Sequence, residues 1–470
     1  MAGTNGGKNG NGANGAGANG AGTNGRGKLP AKMPYLVIGA GVNGLSTAWH
    51  LAMELEARGT GKGSDILLID KSGIGAGASG IACGLLRGFY MNPAMHPLIK
   101  HSLDVWTYDR VTFGFQQVGY VSCGEANQLP DYERIHKSQN EIGYLSDLYT
   151  GKEAHQFLRS IWPDVDTTGI DVVLHEKLSG YSGTKQAMRG FAEKCTEWGV
   201  DIRGGVEVLG YETTNGRVTK VRTNKGDVEA DCIVLGVGPW AAQHWEMLGL
   251  PEKLDLTYPD GSTRDRADMW IYWRLVEGEA YVDEPYLTAD RRDPPILKME
   301  LMNTPVIDPI TKKQMGDYTY FYLKYAAERT RKPGIQGGSV PVRIGPKAQL
   351  EPYGTANPLY QSGDDFRDYF CACAASRVGR FRNIRASYIE RPSGGIGAFT
   401  PDNLPVIDWV RDNVMMIADS NHGYKFTGVG KLVAKHIASG QKVAELEPFR
   451  FSRYAAGRTF GKSNSHSPWV

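Results

Sequence analysis

The sequence predicts a mixed α/β (α+β) fold in which a domain with a parallel sheet is interleaved with a domain built on an antiparallel sheet. Three observations support this fold class. A glycine-rich turn at residues 39–44 joins an apolar segment to a helical one, as in a βαβ unit. Residues 250–385 contain clustered aromatic residues in alternating runs, the pattern of an antiparallel sheet with one buried face. The segment 414–418 returns to α/β character, so we expect the C-terminal part to complete the first domain.

The glycine-rich turn is the most specific motif, because Gly39, Gly41 and Gly44 form the pattern G-x-G-x-x-G. In such a turn the first glycine lets the strand end sharply and the second lets the backbone approach a pyrophosphate. The third glycine lets the helix pack closely on the sheet. The N-terminus of that helix then faces the phosphates.

The second strand of the unit ends at Asp70, whose carboxylate can accept hydrogen bonds from a pair of ribose hydroxyls. An enlarged turn at residues 59–64 explains why Asp70 lies further along the chain than the usual spacing of about 20 residues. Strand, turn, helix and acid together predict a Rossmann-like unit that binds a flavin or a nicotinamide dinucleotide. The alternative is a glycine-rich loop that binds no ligand.

The composition is that of a globular protein with an unusual N-terminal tail. The chain of 470 residues is long enough for two domains, and 41% of it is hydrophobic. It contains no run approaching the roughly 20 apolar residues that span a bilayer. Residues 1–32 are rich in Gly, Asn, Ala and Thr, so we expect a disordered tail that lacks the apolar core of a secretory signal. The cytoplasm is the expected location.

Charges and cysteines exclude several classes of partner. Without the four basic residues of the tail, 49 basic and 51 acidic residues remain, so neither nucleic acid nor a membrane is expected. The six cysteines form no CxxC pair and have no histidines at metal-binding spacing, so we expect reduced thiols and no metal. Cys371 and Cys373 are expected on one face of a strand, in a structural role.

The remaining segments alternate between helical and extended patterns. In chain order they predict a small-residue loop at 71–80, an amphipathic helix at 98–113, a strand at 117–122, a polar helical stretch at 132–149, a helix at 185–198 capped by Ser182 or Thr184, and a strand at 200–203. A β-meander at 206–211, 218–222 and from 228 follows, with turns at 214–216 and 224–226. The C-terminal part is predicted to form a strand at 414–418, a turn at 420–430 and a helix at 432–439.

Four segments recur in the order typical of one family: the glycine motif with Asp70, residues 80–90, residues 232–240, and residues 400–405 followed by 420–426. On these residues the chain resembles the FAD-dependent D-amino-acid oxidase superfamily, particularly its sarcosine oxidase, glycine oxidase and dimethylglycine dehydrogenase branches. The resemblance covers nearly everything after the tail. It implies an FAD-binding domain at 33–115, 170–248 and 386–460, a substrate domain at 116–169 and 249–385, and a C-terminal tail at 461–470.

The resemblance also implies the residues of the FAD site. The expected cofactor-binding residues come from all three segments of the FAD-binding domain: Gly39, Gly41, Val42, Asn43, Gly44, Asp70, Lys71, Ala78, Ser79, Val206, Gly236, Gly238, Trp240, Gly423, Tyr424, Lys425 and Phe426. Branches that attach the flavin covalently place a histidine where this chain has Ile81, or a cysteine near Gly395. We therefore expect non-covalent FAD.

Three further residues are expected to be catalytic. Arg87 matches the arginine that binds the substrate carboxylate in sarcosine-oxidase-like enzymes, a task that suits its planar fork, and a surface ion pair is the alternative. Lys425 matches a lysine that assists from the other side, although it could instead neutralise negative charge at flavin N1 and the C2 carbonyl. His422 lies in the same loop, where packing or a backbone hydrogen bond is the alternative to a catalytic role.

The substrate domain carries one departure from the family pattern. Where sarcosine oxidases have a lysine that promotes reaction with oxygen, this chain has Gln336, although Lys324 and Lys332 are close in sequence. This departure weakens the oxidase interpretation. The candidates for the wall of the substrate pocket are Tyr272, Tyr320 and Tyr322.

The predicted reaction is oxidation of a C–N bond in an amino acid or N-alkyl amino acid, with hydride transfer to flavin N5 and hydrolysis of the imine in water. The expected partners are a small substrate that carries an amine and a carboxylate, and oxygen or another electron acceptor. One alternative is an FAD dehydrogenase that oxidises another amine, a hydroxy acid or a heterocycle and passes electrons to a non-oxygen acceptor. A non-catalytic flavoprotein and an NAD-only dehydrogenase are the others.

Overall fold

The computed structural model of the protein describes residues 27–282, 288, 292–325, 333–354, 356–389, 394–420 and 422–460. The predicted C-terminal tail, Lys332 and most of the predicted N-terminal tail therefore lie outside the described residues. The folded chain begins earlier than the predicted boundary at residue 33. Leu29 is already buried, and Lys32 begins the first strand, where it is paired with Glu229.

The helices of the described chain are α1 (Val42–Arg58), α2 (Met95–Tyr108), α3 (Arg110–Phe113), α4 (Leu129–Glu141), α5 (Gly151–Ile161), α6 (Thr184–Glu197), α7 (Ala241–Met247), α8 (Asp364–Arg377) and α9 (Thr427–Ser439).

The strands of its N-terminal half are β1 (Lys32–Ile38), β2 (Ile66–Asp70), β3 (Leu85–Leu86), β4 (Phe115–Gln116), β5 (Tyr120–Gly124), β6 (Ser146–Thr150), β7 (Val172–Glu176), β8 (Gly180–Ser182), β9 (Asp201–Gly204), β10 (Val208–Thr214), β11 (Arg217–Thr223) and β12 (Glu229–Leu235). Those of its C-terminal half are β13 (Lys253–Thr257), β14 (Thr263–Asp268), β15 (Ile271–Tyr281), β16 (Ile296–Leu301), β17 (Val306–Ile307), β18 (Gln314–Gly316), β19 (Thr319–Tyr325), β20 (Gly334–Gly338), β21 (Val342–Gly345), β22 (Gly394–Phe399), β23 (Val406–Arg411) and β24 (Val414–Ala418).

The first sheet has the strand order β23-β24-β12-β1-β2-β9, and all of its pairs are parallel except β23 with β24. Helices α1, α6 and α9 pack on one face of this sheet, and β10, β11 and α7 pack on the other, so its central strands are buried on both faces. The C-terminal strand β24 pairs with β12, with Ile233 opposite Val414, so the last segment completes this sheet as predicted. The mixed α/β fold class, with a Rossmann-like domain and an antiparallel sheet, is confirmed.

The second sheet has the order β21-β15-β20-β19-β16-β5-β7-β6, and β22 also pairs with β15. Its pairs are antiparallel except β16 with β5. The predicted domain boundaries are wrong at two strands, since β7 and β22 were assigned to the FAD-binding segments but hydrogen-bond within this sheet. Both strands sit where the chain passes between the domains, and an apolar run there does not reveal which sheet it joins.

The two faces of the second sheet differ in chemistry. On β16 and β19, Leu297, Met299 and Phe321 point to a core shared with α5 and α8. Because successive side chains alternate between faces, Lys298 and Tyr320 point the other way. The helices cover the apolar face, and the polar face is left for the site described below.

Several local predictions are wrong for identifiable reasons. The helix predicted at 98–113 breaks at Asp109, whose side chain accepts the Thr112 N–H at 3.1 Å and begins α3. The helical stretch predicted at 132–149 ends at residue 141, and its last part forms β6, which pairs with β7. Cys371 and Cys373 lie on helix α8 rather than on a strand.

The predicted cap of the helix at 185–198 is also wrong. Gly183 occupies the N-cap of α6, and no side chain accepts a hydrogen bond there. The Ser182 hydroxyl instead donates to the Phe113 carbonyl.

Candidate active site

The glycine motif brings the ends of β1 and β12 and the start of α1 into backbone contact. Gly39 ends β1 with φ +105°, and a Cβ there would lie 2.4 Å from the Gly236 carbonyl oxygen. A Cβ on Gly44 would lie 1.8 Å from the Gly39 carbonyl oxygen. Helix α1 therefore begins directly against the ends of β1 and β12, which leaves its N-terminus open to a phosphate. This geometry fits a dinucleotide.

The acid at the end of β2 is held by backbone groups. Asp70 Oδ2 accepts the Ala40 N–H at 2.9 Å, and Oδ1 accepts the N–H groups of Ser72 and Gly73, both at 2.8 Å. These bonds orient the carboxylate at the edge of the cleft, where its remaining lone pairs can accept from ribose hydroxyls. The Ser79 hydroxyl accepts the Val42 N–H at 3.1 Å, which places the predicted loop over the start of α1.

A continuous cleft collects nearly all of the predicted site residues. It is lined by Gly39, Gly41, Val42, Asn43, Asp70, Lys71, Ala78, Ser79, Arg87, Val206, Gly236, Gly238, Trp240, His422, Gly423, Tyr424 and Lys425. Two predicted residues do not line it. Gly44 packs against the backbone of Gly39 and Gly236, and Phe426 is fully buried with its ring stacked 4.7 Å from that of His422.

Lys71 and Trp240 are joined by an acid that sequence reasoning missed. Lys71 forms an ion pair with Glu351, and its ammonium lies 3.8 Å from the centroid of the Trp240 ring. The indole N–H of Trp240 donates to Glu351 Oε1 at 3.0 Å. Burial acts to raise the pKa of Glu351, but these contacts hold that pKa below its usual value. Nothing in the local sequence marks Glu351, because its partners are distant in the chain.

The loop after β24 is tied to the start of α1. Asp419 Oδ2 accepts the Asn43 side-chain amide at 2.7 Å and the Gly423 N–H at 3.0 Å. The His422 ring hydrogen-bonds to the Asp419 carbonyl and lies 5.4 Å from the Tyr90 ring. These contacts support the packing role that was left open for His422.

Arg87 is buried in the cleft rather than placed in a surface ion pair. Only 7% of the residue is exposed, its guanidinium donates to the Phe89 carbonyl, and it lies 4.6 Å from the centroid of the Tyr90 ring. Within the described ranges, no carboxylate lies within 4.0 Å of Arg87. The nearby Glu176 accepts the Gly88 N–H, the Gln139 amide and the Ser179 hydroxyl at 2.6 to 2.8 Å. The Arg87 charge is therefore available to an anionic ligand.

Lys425 faces the same part of the cleft with an unusual proton affinity. Burial, together with the Arg87 guanidinium, lowers the pKa of Lys425 to about 7, while Glu277 and Asp419 act in the opposite direction. Its backbone is fixed, because the Lys425 N–H donates to the His422 carbonyl at 2.7 Å. Lys425 can therefore change charge near neutral pH.

The polar face of the second sheet closes the cleft opposite the glycine motif. Tyr320 and Tyr322 line it, whereas the third predicted tyrosine, Tyr272, donates to the Pro239 carbonyl at 3.2 Å outside it. Sequence reasoning missed Glu277 and Lys298, which also line the cleft and are 6% and 2% exposed. No local signal marks them, because the same two strands also carry Arg274, Glu279 and Glu300.

Lys298 is neutralised by a buried partner, since its ammonium lies 2.5 Å from Glu300 Oε2. Gln336 lies on β20 opposite Glu279 and Lys324, away from the cleft lining. A role for this position in the reaction with oxygen stays a prediction.

Comparison with known proteins shows the family. The sequence model described as "DAO: FAD dependent oxidoreductase" matches residues 35–436. Sarcosine oxidase subunit beta of Rhizobium meliloti (strain 1021) is 26% identical over 220 residues, which are 46% of this chain and 51% of that protein. The mitochondrial pyruvate dehydrogenase phosphatase regulatory subunit of Mus musculus is 24% identical over 446 residues, which are 92% of this chain and 44% of that protein. The chain thus spans about half the length of these curated relatives.

Solved structures share the fold. L-Proline dehydrogenase from P. horikoshii superposes with a TM-score of 0.69 at 22% identity, covering 91% of this chain and 99% of that chain. Glycine oxidase from Geobacillus kaustophilus gives a TM-score of 0.64 at 16% identity, covering 90% and 99%.

Membrane-spanning helices and metal-binding clusters are both absent from the described residues. No helix there combines the length and apolarity that crossing a membrane requires. No group of three or more His, Cys, Asp or Glu side chains there is arranged to hold a metal ion.

The family model matches residues 35–436, and the glycine motif forms the cradle that a dinucleotide needs. The chain therefore belongs to the FAD dependent oxidoreductase family, as its resemblance predicted.

Proposed function

We propose that the chain oxidises a C–N bond of an amino acid or N-alkyl amino acid with FAD. The observation that carries this proposal is the single cleft in which the dinucleotide cradle continues to buried Arg87 and to Lys425. A buried guanidinium that has no carboxylate partner among the described residues suits a substrate carboxylate, which it can bind with two parallel hydrogen bonds. Relatives named as a sarcosine oxidase, a glycine oxidase and an L-proline dehydrogenase support a substrate with both an amine and a carboxylate.

The chain's own residues divide the work between holding the cofactor and placing the substrate. The glycine cradle and the start of α1 would hold the pyrophosphate, and Asp70 the ribose. When bound, FAD supplies N5 as hydride acceptor, and the oxidised substrate leaves as an imine that water hydrolyses. Arg87 holds the substrate carboxylate, and Lys425 either assists it or balances negative charge at the flavin N1 and C2 carbonyl.

The contacts around Gly395 support non-covalent FAD. A Cβ at Gly395 would lie 3.7 Å from the Ile81 side chain, so the two positions that carry flavin attachments in other branches meet at one place. Neither residue offers a nucleophile. Ile81 carries an unreactive alkyl group and Gly395 has no side chain, so neither position can attach the flavin.

Anaerobic bleaching tests the proposal. The holoenzyme is mixed with amino acids, N-methyl amino acids and simple amines without oxygen, and the flavin absorbance is followed. We expect bleaching by carboxylate-bearing amines, after which air restores the colour quickly in an oxidase and slowly in a dehydrogenase that uses another acceptor. Bleaching by none of them contradicts the proposed reaction.

A non-catalytic role is the second candidate, because the match that extends over 92% of the chain is to a protein named as a regulatory subunit. The buried charge of Arg87 in the cleft favours a catalytic role over this one.

The proposal also includes a cytoplasmic location, a small-molecule substrate, and oxygen or another electron acceptor.

A further inference from the structure

Glu277 is a buried acid in the cleft that the proposed reaction has not used. It lies on β15, is 6% exposed and lines the same cleft as Arg87 and Lys425. Tyr322, on the neighbouring part of the sheet, donates its hydroxyl to Glu277 Oε1 at 2.8 Å. A carboxylate held in the wall of a ligand cleft can accept hydrogen bonds from a cationic group of the ligand.

The charges of the cleft are arranged in opposite signs. Arg87 and Glu277 both lie close enough to Lys425 to shift its pKa, one downward and the other upward. Lys298, a further cation of the wall, is already paired with Glu300. Arg87 has no carboxylate partner in the described part of the chain. Its guanidinium and the Glu277 carboxylate therefore offer a cationic and an anionic end to one ligand.

We infer that Glu277 receives the protonated amine of the substrate while Arg87 receives its carboxylate, so that the cleft selects zwitterions. Glu277 then accepts one proton from the ammonium, which frees the nitrogen lone pair before hydride leaves the adjacent carbon. This inference rests on the proposed function, and it names a specificity-determining residue for that reaction. A carboxylate accepts the N–H groups of an ammonium in a charge-assisted hydrogen bond. An ether oxygen in place of the amine has no N–H to donate, so it cannot form this charge-assisted hydrogen bond.

The surroundings of Glu277 predict a pH dependence. Burial raises the pKa of Glu277, while hydrogen bonds from Cys83 and Tyr322 and the charges of Lys324 and Lys425 lower it. The carboxylate can attract an ammonium only when it is ionised, so selection for the amine is present above the pKa of Glu277 and lost below it.

Paired isosteres test the inference on the FAD-loaded protein. The probes are two pairs: sarcosine with methoxyacetate, and L-proline with tetrahydro-2-furoate. In each pair the second compound has an ether oxygen in place of the amine nitrogen of the first. Affinity is measured without oxygen from the concentration dependence of the flavin difference spectrum, or of flavin reduction where a probe reduces it. We expect the wild type to prefer the amine at least about tenfold, and E277Q to bind both members of each pair within about twofold.

Two further variants separate this role from a structural one. E279Q is the matched control, because Glu279 is 3% exposed, lies two residues further along β15 and is outside the cleft lining. It should keep the wild-type preference. Tyr322→Phe removes a hydrogen bond that stabilises the ionised acid, so it should shift the loss of preference to higher pH.

The results distinguish failure of the Glu277 inference from failure of the proposed oxidation. A wild type that shows no preference, or an E277Q variant that keeps it, overturns the inference whatever the flavin does. A preference that is lost in E277Q although no probe bleaches the flavin supports the ammonium site and contradicts the proposed oxidation.

Discussion

Replacing Arg87 by Ala tests the centre of the proposed site. Arg87 as a residue is 7% exposed, and its guanidinium faces no carboxylate within the described residues, so a bound substrate would be its anionic partner. A hydrogen bond to a charged group contributes about 1.5–3 kcal/mol, and two such bonds contribute about 3–6 kcal/mol. Because about 1.4 kcal/mol corresponds to a factor of ten, the apparent KM for an amino acid should rise about 10²- to 10⁴-fold.

The assay is anaerobic flavin reduction or steady-state turnover with a carboxylate-bearing amine and with a simple amine that lacks the carboxylate. Arg87→Ala should affect only the first substrate, and flavin content must equal that of the wild type. Arg134→Ala is the matched control, because that arginine is exposed and pairs with Asp131 on α4. An unchanged KM for the amino acid, or an equal rise for both amines, would refute carboxylate binding by Arg87.

Three further results are expected. Acid precipitation should release all yellow colour into the supernatant, because Ile81 and Gly395 provide no attachment point, and a yellow pellet contradicts this. Gly39→Ala should yield protein without flavin, since a Cβ there meets backbone at 2.4 Å in a left-handed conformation, whereas Gly73→Ala, with open space around it, should retain flavin by absorbance. Because the pKa of Lys425 is about 7 and a carboxylate favours its ammonium form, affinity for carboxylates should be highest below pH 7 and fall by up to about tenfold per pH unit above it. Binding titrations should lose this fall in Lys425→Met, and a pH-independent wild type contradicts it.

The sequence was sufficient for the features that depend on short-range rules. The βαβ unit was predictable because each of its glycines has a steric reason, and the structure shows backbone contact at Gly39 and Gly44. Strand β24 was predictable because a fully buried parallel strand is a continuous apolar run. The residues of the cleft followed from the resemblance, which supplied the order of distant segments.

The remaining features depend on tertiary pairing that local patterns do not contain. The alternation in β15, β16 and β19 predicts two faces but not which of them lines a ligand cleft, so Glu277 and Lys298 were indistinguishable from solvated charges. Strand β6 is half-polar, and only its pairing with β7 makes it a strand. Glu351 acquires its place through Lys71 and Trp240, more than a hundred residues away.

The segment at 400–405 was noted for its family resemblance, and one variant tests its structural role in this chain. Asp402 Oδ1 pairs with Arg453 Nη2 at 2.7 Å, with both side chains no more than 2% exposed, and it accepts the Tyr454 hydroxyl at 3.0 Å. The acid therefore anchors the C-terminal residues rather than contacting a ligand in the cleft. Breaking a buried pair costs about 3–5 kcal/mol, because the remaining buried charge loses its counter-ion. Arg453→Met should accordingly lower the midpoint of denaturant unfolding strongly. The control is Arg450→Met, because the partially exposed Arg450 guanidinium pairs with Glu447 at 2.7 Å. This variant should lower the unfolding midpoint much less, and equal effects of the two variants would contradict an anchoring role for the Asp402–Arg453 pair.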